Sequence, residues 1–400
     1  MRRSVGTILL VLMAGLVCFG LVMLYSTSYV TSAESKLIRQ AAWVVAGGLG
    51  AAVVRLADYR TVARWSGVLL CLAGLALAYL ALASFLHGRI PQGVFARIPF
   101  VAAEPTKGSF RWLRFFGFSL QPSEFAKILL ILFLAAYYQR NARFSKRFVP
   151  GVLVPFFAAG VIIALILLGR DLSTSVITGA VVMCMAFVAG VQLRYLVLAV
   201  LAGVLLVGAM IAANPERMAR LMTYQNPETH RYDDGYQLWA SQLALGSGNW
   251  SGLGFTNSRM KQQYLPEAST DFIVAIVGEE LGYLAVLGLL FGYAAITVCI
   301  IWIGCLASDR TGLLLCTGVG LLIGIQALVN ISVVSGFCPT TGVTAPFVSY
   351  GGSSMLAGML GIGLVFSVLR VAQHGRDQAL FSEPIQVVDT PTLRTRSLAR

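Results

Sequence analysis

The sequence predicts an all-α, polytopic membrane protein with about ten transmembrane helices, both termini cytoplasmic and two long outward-facing loops. Three observations carry that expectation. Hydrophobic residues make up 57% of the chain and charged ones 12%, a balance foreign to soluble domains. Apolar runs near the ~20 residues that cross a bilayer recur along most of the length. Lys and Arg gather on alternate connections between those runs.

The runs fall at 5–26, 38–56, 65–86, 124–139, 150–169, 174–191, 195–213, 271–304, 312–333 and 351–371. Met1-Arg2-Arg3 ahead of the first run suggests a secretory signal. However, the apolar stretch from Val5 to Tyr25 exceeds a ~7–15-residue signal core, so a retained span is expected. The run at 271–304 is long for one span and should tilt or extend beyond the membrane. Arg2 and Arg3, then Arg55, Arg60 and Arg64, then Arg140, Arg143, Lys146 and Arg147, then Arg194 mark the cytoplasmic connections by the positive-inside rule. Connections 87–123 and 214–270 then face outward. The segment 1–372 reads as the transmembrane domain, and 373–400 as a polar, disordered cytoplasmic tail. No internal repeat is visible.

The net charge of +13 follows from the cytoplasmic loops and does not call for nucleic acid. Seven cysteines lie mostly inside apolar runs without metal-type spacing, so they read as small buried hydrophobes. With only His87, His230 and His374 present, proton transfer must lean on carboxylates.

The most informative stretch is Gln262 to Gly282, which carries Glu267, Asp271, Glu279 and Glu280 from a polar loop into an apolar run. An ionised carboxylate at bilayer depth costs at least ~2.5–3.5 kcal/mol and needs a partner or a wet cavity. If the segment is helical throughout, Asp271 and Glu279 stand about 80° apart around the axis and roughly 12 Å along it. Glu279 and Glu280 are expected to pair with basic groups on neighbouring helices. Asp271, at the water boundary, is expected to be the reactive group.

The outward loop 87–123 carries Arg89, Arg97, Lys107, Arg111 and Arg114 against Glu104 alone, a density that suggests an anionic ligand. It leads into Gln121-Pro122-Ser123-Glu124, where Ser123 suits an N-cap and Glu124 the positive helix start. Lys127 then falls in the first turn. Either Glu124 and Lys127 form an i,i+3 pair, or Arg111 and Lys127 hold a diphosphate by charge-assisted hydrogen bonds. Asp171, before Ser173 and Thr174, suits an N-cap or a partner for a cation. Gly246, Gly248, Gly252 and Gly254 suggest a mobile loop able to close over a substrate, with Arg259 and Lys261 adding charge before Asp271. Near the last run, Ser349 and Gly351 read as ligand contacts, because a Gly-rich helix start leaves N–H groups open. Ser353 and Ser354 read as packing.

Together these stretches resemble the SEDS family of membrane peptidoglycan glycosyltransferases, the FtsW, RodA and SpoVE group. The matching pieces are Arg111-Trp112, Gln121-Pro122-Ser123-Glu124 with Lys127, Asp171-Leu172, Tyr264-Leu265-Pro266-Glu267, Thr270-Asp271-Phe272-Ile273, Gly278-Glu279-Glu280-Leu281-Gly282, and Pro346-Phe347 with Ser349-Tyr350-Gly351-Gly352-Ser353-Ser354. They stand in family order over roughly residues 5–372. Arg170 and Ser173 depart from the family's usual Pro and Gly, and Val274 replaces a common Phe.

The resemblance implies polymerisation of lipid II into glycan strands at the outer face of the bacterial cytoplasmic membrane, with Asp271 as the essential acidic residue. The partners implied are lipid II and the nascent strand, a class B penicillin-binding protein transpeptidase and other division proteins. The motifs around Glu267 and Glu279 look nearer the division branch, which would place the chain at the septum. No resident cofactor is called for, and a divalent cation is left open. On that reading Asp271 is the base, Arg111 and Lys127 with Arg259 or Lys261 serve the diphosphate, and Glu267 joins Ser349 and Gly351 as a substrate-binding residue. Alternatives from other classes are a lipid II flippase, a proton-coupled transporter using Glu279 or Glu280, and a non-catalytic division scaffold. An elongation-type polymerase is a further variant.

Overall fold

The computed structural model describes residues 2–29, 34–87, 89, 99–101, 110–115, 118–232, 235–262 and 264–382. All ten predicted runs are helical. In chain order the helices are α1 (Arg2–Tyr29), α2 (Glu34–Leu56), the short α3 (Tyr59–Arg64), α4 (Ser66–Leu86), α5 (Pro122–Arg140), α6 (Val154–Leu168) and α7 (Leu172–Val188). They continue with α8 (Leu193–Ala212), α9 (Pro215–Gln225), α10 (Tyr236–Gly248), α11 (Ile273–Cys305), α12 (Arg310–Val334) and α13 (Gly352–Ser382). Among the described residues, eight helices are long and apolar enough to cross a membrane. The two other predicted runs are α7, which is shorter at 17 residues, and α5, which is mostly buried and carries Glu124 and Lys127.

Cross-links confirm the alternation of ends. At one end, Arg60 Nε pairs with Asp309 at 2.8 Å, Arg310 donates to the Ala189 carbonyl, and Ser367 joins Ala57 to Tyr59. Burial pushes the Tyr59 phenol up to about 12, so it stays neutral there. At the opposite end Lys36 meets Ser269, Gln40 meets Ser349 and Gly351, and Ser173 meets Thr341. The long connections gather at this second end. The helix pairs with the most extensive contact are α2 with α13 and α11 with α12.

Several expectations are corrected. The connection 87–123 is not wholly irregular: Leu113–Phe115 (β1) and Phe118–Leu120 (β2) form an antiparallel hairpin, with Leu113 opposite Leu120. Arg97, Glu104 and Lys107 lie outside the described residues. Helix α5 begins one residue before Ser123, at Pro122, with Gln121 as its N-cap. Proline's missing N–H costs nothing at a first helical position. Lys127 therefore sits in the second turn. Helix α13 runs to Ser382, past the boundary drawn at 372, so at least 373–382 is helical; residues 383–400 lie outside the described part.

The largest departure is inside α11. At Gly282 the backbone turns to φ 82, ψ 179 and breaks the helix. In a continuous helix the N–H groups of 283 and 284 would bond the carbonyls of 279 and 280. Here Tyr283 N–H donates to Asn249 and Leu284 N–H to Trp250, while Leu253 and Gly254 donate to Glu279 and Glu280. Residues 249–254 thus wedge between two half-helices and satisfy both, which is how a broken helix is tolerated. From Tyr283 to Cys305 the second half extends about 34 Å at 1.5 Å per residue, enough to cross by itself. The long run is thus one span plus an outer extension.

Of the glycines in this stretch, Gly248 and Gly252 lie against backbone, whereas Gly246 faces open space and Gly254 meets only the Asn257 side chain. A Cβ on Gly248 or Gly252 would overlap the backbone of residues 278–281, and one on Gly282 would overlap Trp250. They permit close backbone approach. Gly282→Ala is expected to cost on the order of 1–3 kcal/mol, seen as a lowered thermal midpoint in detergent. Gly288→Ala, where a Cβ meets open space, is the control expected to show no such loss.

Candidate functional site

The acidic stretch sorts into two groups. Asp271 precedes α11, whose N-cap is Phe272, so the helical offset from Glu279 does not apply. The turn that presents Asp271 is built by Glu267, which adopts φ 59. The Glu267 carbonyl accepts from the N–H groups of Thr270 and Phe272, and its carboxylate accepts from Thr270 Oγ1 at 2.8 Å. Glu267 holds this turn. Asp271 is partly exposed. Its carbonyl accepts from Asn330 Nδ2 at 2.8 Å, and its Oδ2 lies over Gly342, 3.4 Å from where a Cβ would stand. Two residues before it, Ser269 Oγ accepts from Lys36 Nζ at 3.3 Å.

Glu279 and Glu280 are 1% and 0% exposed, and neither pairs with a neighbouring helix in the way expected. Glu280 Oε1 pairs with Lys261 Nζ at 2.8 Å, its two oxygens lie 2.7 and 2.8 Å from Ser26 Oγ, and Thr256 N–H donates to it at 3.1 Å. Glu279 accepts from Ser258 Oγ and from the Arg259 N–H at 2.8 Å. The loop before Asp271 supplies most of these donors, because the break at Gly282 brings that loop alongside. Buried carboxylates and backbone N–H groups satisfy one another. Lys261, with its side chain 1% exposed, is engaged in this network through Glu280, Ser26 and the Thr256 carbonyl. The Arg259 side chain remains exposed.

The other candidates divide similarly. Lys127 and Glu124 form the i,i+3 pair at 2.8 Å, and Lys127 is 2% exposed. Both line a small cavity with Gln326, Pro346, Phe347 and Ser354. Gln326 stands one turn from Asn330 on α12, about 6 Å along the axis, so this cavity is linked to Asp271 by that helix. Asp171 caps α7 through Thr174 N–H at 3.1 Å and also faces Arg111 at 3.8 Å. The Arg111 guanidinium donates to the Gly169 and Arg170 carbonyls, where it complements the C-terminal end of α6. Arg111 thus anchors the 169–171 turn. Ser173, one of the departures from the family pattern, donates to the Thr341 carbonyl at 2.9 Å.

Ser349 and Gly351 both have partners within the fold. Ser349 Oγ accepts from Ala345 N–H, its carbonyl accepts from Gln40 Nε2, and Gly351 N–H donates to Gln40 Oε1 at 3.2 Å. Gly352 is needed because a Cβ would strike the Trp43 ring. Ser353 ties α13 to the hairpin and α5 through Ser119 and Gln121, as packing predicted. Lys36, Gln40 and Asn330 were missed. Asn330 and Gln40 are polar side chains in or beside apolar runs, and that signal was available. Lys36 offers no such signal. Among the described residues, no three His, Cys, Asp or Glu side chains gather as metal ligands.

This arrangement defines a polytopic helical membrane protein whose polar side chains converge on one end around a helix-mouth carboxylate. The chain belongs to the FtsW/RodA/SpoVE family: the family's sequence profile, described as a cell cycle protein, matches residues 7–374. It is 32% identical over 376 residues to a probable peptidoglycan glycosyltransferase FtsW of Geobacter sp. (strain M18), covering 92% of this chain and 98% of that one. A protein of the same name from Saccharophagus degradans is 36% identical over 368 residues, 89% of each. Among solved structures, a chain from a study of how a peptidoglycan synthase complex coordinates polymerization and crosslinking superposes with TM-score 0.73 at 25% identity, covering 91% of this chain and 97% of that one. The rod shape determining protein RodA of Thermus thermophilus shares the fold, with TM-score 0.65 at 24% identity over 90% of this chain and 95% of its own.

Proposed function

We propose that this chain polymerises lipid II into glycan strands at the outer face of the bacterial cytoplasmic membrane, in septal peptidoglycan synthesis. The observation that carries the reading is Asp271, partly exposed at the mouth of α11, whereas Glu279 and Glu280 are sealed inside. A carboxylate so placed takes the proton of the attacking sugar hydroxyl. Bond formation at the anomeric carbon then expels a lipid diphosphate, whose charge needs cations. Lys36 beside Ser269 and the exposed Arg259 replace Lys261 in that role. Lys127 and Arg111 support the walls of the site. A divalent cation would enter with the diphosphate it neutralises.

The names of the relatives favour the division branch over the elongation branch. The peptidoglycan synthase complex supports a transpeptidase partner, which we assign as a class B penicillin-binding protein working among other division proteins. The experiment is polymer formation from labelled lipid II by purified protein, with and without that transpeptidase. Glycan strands of many repeats are expected. Movement of labelled lipid II across vesicles without any polymer would instead make the chain a flippase.

A further inference from the structure

Asn330 sits near the outer end of α12, in an otherwise apolar turn between Val329 and Ile331, and is 1% exposed. Its Nδ2 donates twice, to the Asp271 carbonyl at 2.8 Å and to the Val343 carbonyl at 2.7 Å. Only the NH₂ end can donate to carbonyls, so these two bonds also fix which way the amide points. Its Oδ1 is buried and accepts no hydrogen bond from any described residue. A leucine of similar volume would spare that unmet oxygen but take the donor from the Asp271 and Val343 carbonyls, so the amide is kept for its donor end at the cost of one unmet acceptor. What the cost retains is the donor end, and that end grips the backbone at the carboxylate.

The segment at the other end of the grip is itself fixed. Gly342 adopts φ 70, the Asp271 Oδ2 rests over it, and Ser173 Oγ holds the preceding carbonyl, that of Thr341. Asp271 lies before the first turn of α11, where Asn330 holds its carbonyl. We propose that Asn330 is a positioning residue for Asp271: its amide locks the backbone of the base to residues 341–343, so that the carboxylate meets the attacking hydroxyl in one orientation. This rests on the reading of Asp271 as the base.

The test uses purified full-length protein and labelled lipid II. Asn330→Leu removes both donors and is expected to lower kcat about 100-fold, the scale of a 1 Å misplacement, with KM little changed and the thermal midpoint lowered because two carbonyls lose this donor. Asn330→Gln keeps an amide and should recover most of the rate. In an Asp271→Asn background, Asn330→Leu should remove nothing further, since it acts through the carboxylate. A folded Asn330→Leu protein with wild-type kcat overturns the proposal. So does an equal loss with and without Asp271, and so does loss of folding in Leu, Gln and Ser variants alike, because that marks a purely structural residue. The base assignment is read separately. Asp271→Asn at wild-type rate sinks that assignment whatever residue 330 does, while an inert Asp271→Asn beside a fully active Asn330→Leu sinks only the positioning role.

Discussion

Replacing Asp271 by asparagine is expected to reduce lipid II polymerisation by about 10²–10⁴-fold, the usual contribution of a positioned proton acceptor. The substitution keeps the side chain's shape over Gly342 and leaves the backbone bond from Asn330 intact, so the fold should survive. What it removes is the capacity to take a proton. The measurement is the initial rate of glycan formation at saturating substrate, paired with a thermal melt. A variant that melts like the parent yet makes strands at the parental rate would place the base elsewhere.

The second large effect is expected at Lys261, and it concerns stability. Lys261→Met strands the Glu280 carboxylate in an interior where the carboxylate is 0% and the lysine side chain 1% exposed. Breaking a buried pair from one side costs about 3–5 kcal/mol, because the remaining charge loses its partner and cannot reach water. Ser26 and the Thr256 N–H still contact the carboxylate, which holds the cost within that range. Detergent-solubilised Lys261→Met should therefore melt far below the parent. If it melts normally but loses affinity for lipid II, Lys261 belongs to the substrate site after all.

These two residues show what the sequence made legible. The spans and the alternation of their ends follow from apolar length and the placement of Lys and Arg, and a carboxylate ahead of the long apolar run marks Asp271 as outside the hydrocarbon. The fate of Glu279 and Glu280 is not marked in this way. Apolar residues resume directly after Glu279-Glu280 and again after Gly282, so the pattern reads as one helix and the carboxylates are expected to look sideways to other helices. Their partners come from Ser258, Arg259 and Lys261, close in sequence but folded back by a turn that composition does not encode. Arg111 and Ser349 have local partners that residue type does not announce. Residue type says that they can bind an anion or a ligand; it does not say that Arg111 also donates to the carbonyls of 169 and 170, or that Ser349 Oγ accepts from the N–H of Ala345.

The wedge at Gly282 ties the order of synthesis to the order of assembly. Residues 249–254 leave the ribosome before the helix they complete, and α11 cannot close into a single uninterrupted rod while they occupy its gap. If that segment were displaced, the N–H groups of Tyr283 and Leu284 and the carbonyls of Glu279 and Glu280 would lose these partners, leaving helix closure across Gly282 or solvent to satisfy them.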